Sequence, residues 1–336
     1  MKKIAILLVK LAISLALLKF LFDLAGDESF AALRDQPKDW VLLALAWPLV
    51  FLAVLLTFVR WMLLVRALGM QFSLGDALRL GFLGYLFNFI SLGSVGGDLF
   101  KAVFIAREQH GRRAEAVATV VIDRLVGLYA LFLVAAAAVL WSGLYAESDV
   151  KVRTIAQFAL WCAGLGTVGI SLLMVPGVTG ARAAAAAARL PVVGQTALEL
   201  LLALRLYRQR YTVVVVALVL SLAVHTVFAG GFYLISQALP GASPTLAEHC
   251  VVVPLSLLAA ATPLPMAGLG AFEAALDFLY FYVGQDIGVK LGQGLVVALC
   301  YRAMTVLVAL IGLAYYFNRR RAVDEAMHEA EQETEE

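Results

Sequence analysis

Long apolar stretches alternate with short polar segments along most of the chain. Six of these stretches resemble ordinary membrane-spanning helices, because about 20 apolar residues are needed to cross a hydrocarbon core of about 30 Å. They occupy residues 4–22, 41–59, 115–142, 154–175, 212–238 and 291–317. The pattern therefore predicts an all-α, polytopic integral membrane protein with about six full spans.

Two further apolar stretches, 77–105 and 250–284, are too long for one span and are interrupted by helix-breaking residues. The first break contains Gly93, Gly96 and Gly97, and the second contains Pro263, Pro265, Gly268 and Gly270. Irregular backbone at membrane depth is tolerated only where it is buried in protein or lines a polar cavity. Each stretch is therefore predicted to form two short helices that meet at a break.

The charges of the connecting segments predict which way each span runs, because short cytoplasmic loops are enriched in Lys and Arg. Residues 23–40 are mainly acidic and are placed outside, whereas residues 60–66 and 107–113 are basic and are placed in the cytoplasm. Both ends of 77–105 then lie on the cytoplasmic side, and both ends of 250–284 lie outside. Each broken stretch is therefore predicted to be a re-entrant hairpin.

The order of span, hairpin and span occurs twice, at about 41–142 and at about 212–317, with opposite orientation. An inverted-topology repeat of this kind is typical of secondary transporters, in which paired Gly/Pro-broken segments indicate a binding site near the membrane midplane. We expect one transmembrane domain over residues 1–317, in which 176–211 form a cytoplasmic linker. The N-terminal stretch resembles a signal peptide, but Lys10 interrupts it, so we interpret it as a retained span.

The composition agrees with the membrane prediction, and the C-terminus differs from the rest of the chain in its acidic charge. The chain is 62% hydrophobic and only 15% charged, which excludes an ordinary soluble globular domain. Seven of the acidic residues and no Lys or Arg lie in 322–336, so the rest of the chain carries +9 although the whole carries +2. We therefore expect residues 318–336 to form an acidic cytoplasmic tail, with both termini in the cytoplasm.

Two arginines lie where charge is costly. Arg124 and Arg302 are each about ten residues into their spans, or about 15 Å deep at 1.5 Å per residue. A charge near the bilayer centre costs about 2.5–3.5 kcal/mol on insertion scales unless it is paired or functional. Acidic residues follow both breaks and are the natural partners. The candidate substrate-binding residues are Asn88, Asp98, Lys101, Asp123, Arg124, Glu273 and Arg302.

These residues also allow less specific interpretations. Asp98 and Glu273 could simply cap the helices that follow the breaks, since acids at a helix N-terminus satisfy free N–H groups. The charges could equally form buried ion pairs that hold the repeats together. The chain has no phosphate-binding glycine loop with Lys-Ser/Thr, and no His/Cys/acid cluster suggests a metal site. We expect neither ATP drive, nor a cofactor, nor a catalytic metal.

The sequence resembles one known family at these same positions. The stretch FLGYLFNFISLGSVGGDLFKAVFIAREQHGRRAEAVATVVIDRLVGLYAL (82–131), TPLPMAGLGAFEAAL (262–276) and Tyr301-Arg302 resemble the lysylphosphatidylglycerol synthase transmembrane family. The resemblance covers roughly residues 5–317 and places Asp98, Asp123, Arg124, Glu273 and Arg302 on characteristic positions. Asp stands at 98 and 123 where the family more often has Glu, which keeps the charge and shortens the side chain.

The resemblance implies a bacterial cytoplasmic-membrane protein that handles lipids, as a flippase or scramblase for a polar, anionic head group. The given sequence includes no segment that resembles the soluble aminoacyl-transfer domain of full-length synthases, so lysyl transfer is not expected. An integral-membrane lipid or glycosyl transferase, and a non-transporting partner of a lipid-modifying enzyme, stay open as alternatives. The expected partners are membrane lipids and not nucleic acid; a separately encoded lipid-modifying enzyme and self-association are left open.

Overall fold

The computed structural model describes residues 33–90, 96–108, 112–147, 149–174, 194–260 and 268–318. It also describes residue 185 and a few positions before residue 33. No strand occurs among these residues. The helices are α1 (Trp40–Ala67), α2 (Leu74–Ile90), α3 (Gly96–Glu108), α4 (Arg113–Ser142), α5 (Val150–Met174), α6 (Gly194–Arg208), α7 (Tyr211–Ala238), α8 (Leu246–Ala260), α9 (Ala271–Gly284) and α10 (Gln293–Asn318). Short 3₁₀ turns follow α4 and α9, at Leu144–Ala146 and Gln285–Ile287.

Five helices, α1, α4, α5, α7 and α10, are long and apolar enough to cross a membrane. They match five of the six predicted spans, and the chain is an all-helical, polytopic membrane protein. Of the predicted first span, residues 16 and 19–22 are described, and they are helical. The remainder of that span and the tail beyond Asn318 lie outside the described residues, as does most of 176–193.

The prediction that residues 60–66 form a cytoplasmic loop is wrong. Helix α1 runs from Trp40 to Ala67, so Arg60 lies within it, two turns from its end, and is buried. No glycine or proline interrupts the apolar residues that follow Arg60, and the first breaker is Gly69. Only Arg66, in the last turn of α1, remains as a basic residue at this end of the helix.

Four of the short helices form two antiparallel pairs, α2 with α3 and α8 with α9. In the first pair, contacts join Arg79 to Phe104 and Asn88 to Gly97, so both partners approach the break together. In the second pair, His249 contacts Tyr280, while the carbonyl of Ala260 lies against Gly268. At 13–17 residues each, these helices are shorter than the roughly 20 residues that a span requires.

Both pairs begin with the same local device. Ser73 and Asp76 form a reciprocal capping box at the start of α2, with bonds of 3.1 and 3.0 Å between side chains and backbone N–H groups. Thr245 and Glu248 form the equivalent box at the start of α8, at 3.3 and 2.6 Å. Such boxes satisfy N–H groups that the helix leaves free, and they define where each short helix starts.

The remaining contacts between helices correspond between the two halves of the chain. Helices α1 and α7 pack antiparallel along their length, from Asp39 near Ala238 to Arg60 against Ser221. Helix α4 packs on α8 while α10 packs on α2, and α3 packs on α4 while α9 packs on α10. Equivalent helices therefore have equivalent neighbours, and the leading helices of the two halves run in opposite directions.

The connections gather at two ends of the bundle. At one, which we name the Asp149 end, the N–H of Asp39 donates to Ala238 (3.0 Å) and Gln285 donates to Asp149 (3.0 Å). Hydrogen bonds from the Val152 N–H, Gln285 and the Lys151 N–H lower the pKa of the half-buried Asp149 carboxyl. At the other, the Arg112 end, Arg112 donates to the carbonyls of Leu68 (2.6 Å) and Gly69 (3.2 Å). Segments predicted on one side of the membrane therefore lie together, and the Asp149 end corresponds to the predicted outer side.

Candidate functional site

The first charged cluster lies where α3 meets α4. The Nε of Arg124 donates to Asp98 Oδ2, and Lys101 Nζ lies 3.5 Å from Asp98 Oδ1. Lys101 also lies over the ring of Trp61, 5.1 Å from its centroid. One carboxylate thus faces two cations, and these three side chains together carry a net charge of +1.

A close crossing of α2 and α3 positions this cluster. The N–H of Gly97 donates to Asn88 Oδ1 (3.0 Å), and a Cβ added at Gly97 would lie 2.0 Å from the carbonyl oxygen of Gly84. A Cβ at Gly84 would likewise meet the Lys101 side chain at 2.8 Å. Glycine at both positions lets the backbones touch, and Gly97 leads directly into Asp98. The Asn88 side chain therefore holds the first turn of α3, which begins at Gly96, against the end of α2.

The second cluster lies where α9 meets α10. Arg302 donates to Glu273 Oε1 through Nε (2.9 Å) and Nη2 (2.6 Å). The other carboxylate oxygen accepts from the N–H of Gly270 (2.7 Å), and Phe272 lies under the guanidinium at 5.6 Å. Helix capping and ion pairing are therefore performed by the same carboxylate. Gly270 has a φ of 89°, a left-handed conformation that favours glycine.

The two equivalent ion pairs differ in their exposure. The Arg124 side chain is 42% exposed, whereas that of Arg302 is 14% exposed and that of Glu273 is 0% exposed. A molecule at the protein surface can therefore reach Arg124, whereas the Arg302 pair is enclosed. Tyr85 of α2 faces Tyr301, Arg302 and Thr305, so the first helix pair contributes to that enclosure.

A third charged group, which the sequence reasoning missed, lies between α1, α4 and α7. Arg60 binds Asp123 through two parallel bonds of 2.7 and 2.8 Å and donates to Ser221 at 2.8 Å. His225 follows Ser221 by one turn and its Nε2 lies 3.0 Å from the carbonyl oxygen of Gly127. Asp123 therefore pairs with Arg60 and not with its neighbour Arg124. The signal that could have located Arg60 is the unbroken apolar run on both sides of it.

Asp277 is a second buried carboxylate outside the predicted set. It accepts bonds from the N–H groups of Gly292 (2.9 and 3.1 Å) and Leu295 (3.1 Å), and it is 2% exposed. These contacts join α9 to the start of α10 and satisfy N–H groups that a helix terminus leaves free. Its role in the structure is that of a helix cap.

The predicted site residues thus separate into three groups. Asn88, Asp98, Lys101 and Arg124 lie together, Glu273 and Arg302 form an enclosed pair, and Asp123 belongs to the Arg60 group. Of the predicted break residues, Gly96, Gly97, Gly268 and Gly270 lie at helix ends, whereas Gly93, Pro263 and Pro265 lie outside the described residues. The guanidinium of a mid-helix Arg can donate parallel hydrogen bonds to a phosphate or carboxylate, which is the chemistry that the first group offers.

Comparison with known proteins found one family. The profile described as "Lysylphosphatidylglycerol synthase TM region" matches residues 7–312, which is most of the chain. Neither the curated proteins nor the solved structures compared with the chain include a match.

Proposed function

The chain belongs to the lysylphosphatidylglycerol synthase TM region family, a membrane domain associated with lipid handling, and we propose that it translocates an anionic membrane lipid. The proposal is carried by one observation: Arg124, about 15 Å along its helix, is paired with Asp98 and yet 42% exposed. An arginine at that depth is costly unless it is paired or functional. Partial exposure lets a lipid phosphate reach the guanidinium while the acyl chains stay in the bilayer.

In the proposed mechanism, the net charge of +1 on Asp98, Lys101 and Arg124 favours a phosphate over a cationic group. Asp98 holds the cations in place until a head group arrives and competes for their hydrogen bonds. Asn88 and Gly97 position this cluster through the crossing of α2 and α3.

The two halves act as inverted repeats in this proposal, and each short-helix pair enters the membrane from one face. Alternating access in such proteins arises when one repeat moves against the other around a fixed site. The exposed Arg124 pair and the enclosed Arg302 pair then represent one of two alternate states. In the opposite state, Arg302 and Glu273 would become accessible.

Reconstitution into liposomes with head-group-labelled lipids tests the proposal. We expect Arg124→Ala and Arg302→Ala to reduce the translocation of labelled phosphatidylglycerol at least tenfold, because each removes a charge-assisted contact of about 1.5–3 kcal/mol. Arg153→Ala, which removes an exposed arginine near the start of α5, is the matched control and should retain the wild-type rate. Equal translocation by wild type and Arg124→Ala would contradict the proposal.

A further inference from the structure

A cavity of about 560 Å³ lies at the Asp149 end, well away in sequence from the Arg124 cluster. Its walls come from the segment before α1, the end of α7, the end of α9 and the start of α10. The volume is within the range of about 300–1,000 Å³ that small-ligand pockets occupy. Its size alone would therefore accommodate a polar head group or a free small molecule.

The same place in the other half of the fold is filled. Tyr207, four residues before α7, is 1% exposed and donates to the carbonyl of Leu64 at 2.8 Å. The equivalent residue before α1 is Gln36, which lines the cavity. At the start of α4, Arg112 reaches across to the end of α1, whereas Lys290, near the start of α10, lines the cavity. Among the described residues, the fold therefore fills this position at the Arg112 end and leaves it open at the Asp149 end.

The lining of the cavity is rich in hydrogen-bonding groups but has no excess of charge. Two charged residues line it, and they have opposite sign: Asp35, which is held by Arg34 at 2.7 and 3.1 Å, and Lys290. A second layer consists of hydroxyls, since Tyr280 is hydrogen bonded to Ser236, which in turn donates to Ser243 at 2.5 Å. Gln36 and Gln293 add amide groups to the walls.

This chemistry selects for a particular ligand class. A charged ligand would find no excess of opposite charge among the lining residues, which carry one acid and one base. Hydroxyl groups, by contrast, both donate and accept, as do the Tyr, Ser and Gln side chains around them. We propose that the cavity binds an uncharged, hydroxyl-rich group, namely a sugar or polyol, carried either by a lipid or by a free molecule. This site does not depend on the proposed translocation.

Thermal unfolding of the full chain in phosphatidylcholine nanodiscs tests the site, and glycosidic detergents are avoided because their sugars would compete. The probes are a monoglucosyl diacylglycerol placed in the nanodisc and free methyl glucoside. We expect at least one probe to raise the unfolding temperature. Binding of the lipid alone indicates a lipid head group as ligand, and binding of the free glucoside alone indicates a soluble ligand; both outcomes support the proposal.

Two tyrosines provide the matched comparison. Tyr280→Phe removes the hydroxyl that holds Ser236 in the cavity wall and should weaken sugar binding about tenfold, the equivalent of roughly one buried hydrogen bond. Tyr207→Phe removes an equally buried hydroxyl at the Arg112 end and should leave sugar binding unchanged. The absence of any shift with both sugars, equal loss in both variants, or an equal shift with phosphatidic acid would overturn the proposal. Unlike the translocation assay, this test does not involve Arg124 or Arg302.

Discussion

Arg60, Arg124 and Arg302 each lie well inside an apolar helix, and each is paired with a carboxylate. Their surroundings differ, because Arg60 and Arg302 are enclosed by neighbouring helices whereas Arg124 is partly exposed. Breaking a buried pair costs about 3–5 kcal/mol, since the remaining charge is left uncompensated in a low-dielectric environment. The exposure of each pair therefore determines how strongly it contributes to stability.

We expect Arg60→Met to destabilise the protein more than Arg124→Met. Arg60→Met leaves the Asp123 carboxylate, whose side chain is 15% exposed, without its cation, whereas Asp98 keeps Lys101 after Arg124→Met. Thermal unfolding in detergent micelles should show the larger decrease for Arg60→Met, corresponding to about 3–5 kcal/mol. Arg153→Met serves as the control with an exposed arginine. A smaller effect for Arg60→Met than for Arg124→Met would contradict the assigned burial.

A double substitution separates the structural and functional roles of the Arg302 pair. Glu273→Gln alone should destabilise the protein, because Arg302 then loses its charged partner. Glu273→Gln combined with Arg302→Met should recover most of that stability, since removing both charges of a buried pair is often close to neutral. Translocation of labelled phosphatidylglycerol should stay low in the double variant. Recovery of both stability and translocation would assign the pair to structure alone.

At the scale of the helix, the crossing of α2 and α3 determines where the Arg124 cluster lies. Gly97→Ala would place a Cβ 2.0 Å from the Gly84 carbonyl oxygen, so the two helices must separate. We expect a lower unfolding temperature and slower translocation from this single methyl group. Gly164→Ala is the control, because a Cβ there meets nothing within 4 Å and alanine favours the helix by up to about 1 kcal/mol.

Much of the secondary structure could be predicted from sequence, with informative exceptions. The spans that became α4, α5, α7 and α10 follow from apolar length alone, because the bilayer requires about 20 such residues. The short helices follow from the breaks at Gly96 and Gly268. The end of α1 was missed because the loop assignment followed the charge of Arg60 and not the unbroken apolar run around it. The partner of Arg60 could not be predicted in this way, because Asp123 is 63 residues away.

For the molecule as a whole, the arrangement predicts that the start of α2 and the end of α3 face the same side of the membrane. In a background in which Cys162, Cys250 and Cys300 are replaced by Ala, single cysteines at Gln71 and Arg107 should react with a membrane-impermeant maleimide from the same side. A cysteine at Tyr145, at the Asp149 end, should react from the opposite side. Labelling of Gln71 and Arg107 from opposite sides would show that α2 and α3 together cross the membrane.

Local sequence pattern was enough to predict the membrane class, the spans that became α1, α4, α5, α7 and α10, the breaks before α3 and α9, and Arg124 and Arg302 as candidate residues. All of these depend on local composition and on the cost of placing charge or broken helix in hydrocarbon. The folded structure was needed to show that Asp123 pairs with Arg60, that Arg124 is partly exposed while Arg302 is enclosed, and that a cavity lies at the Asp149 end. These depend on contacts between residues far apart in the chain, which local pattern does not encode.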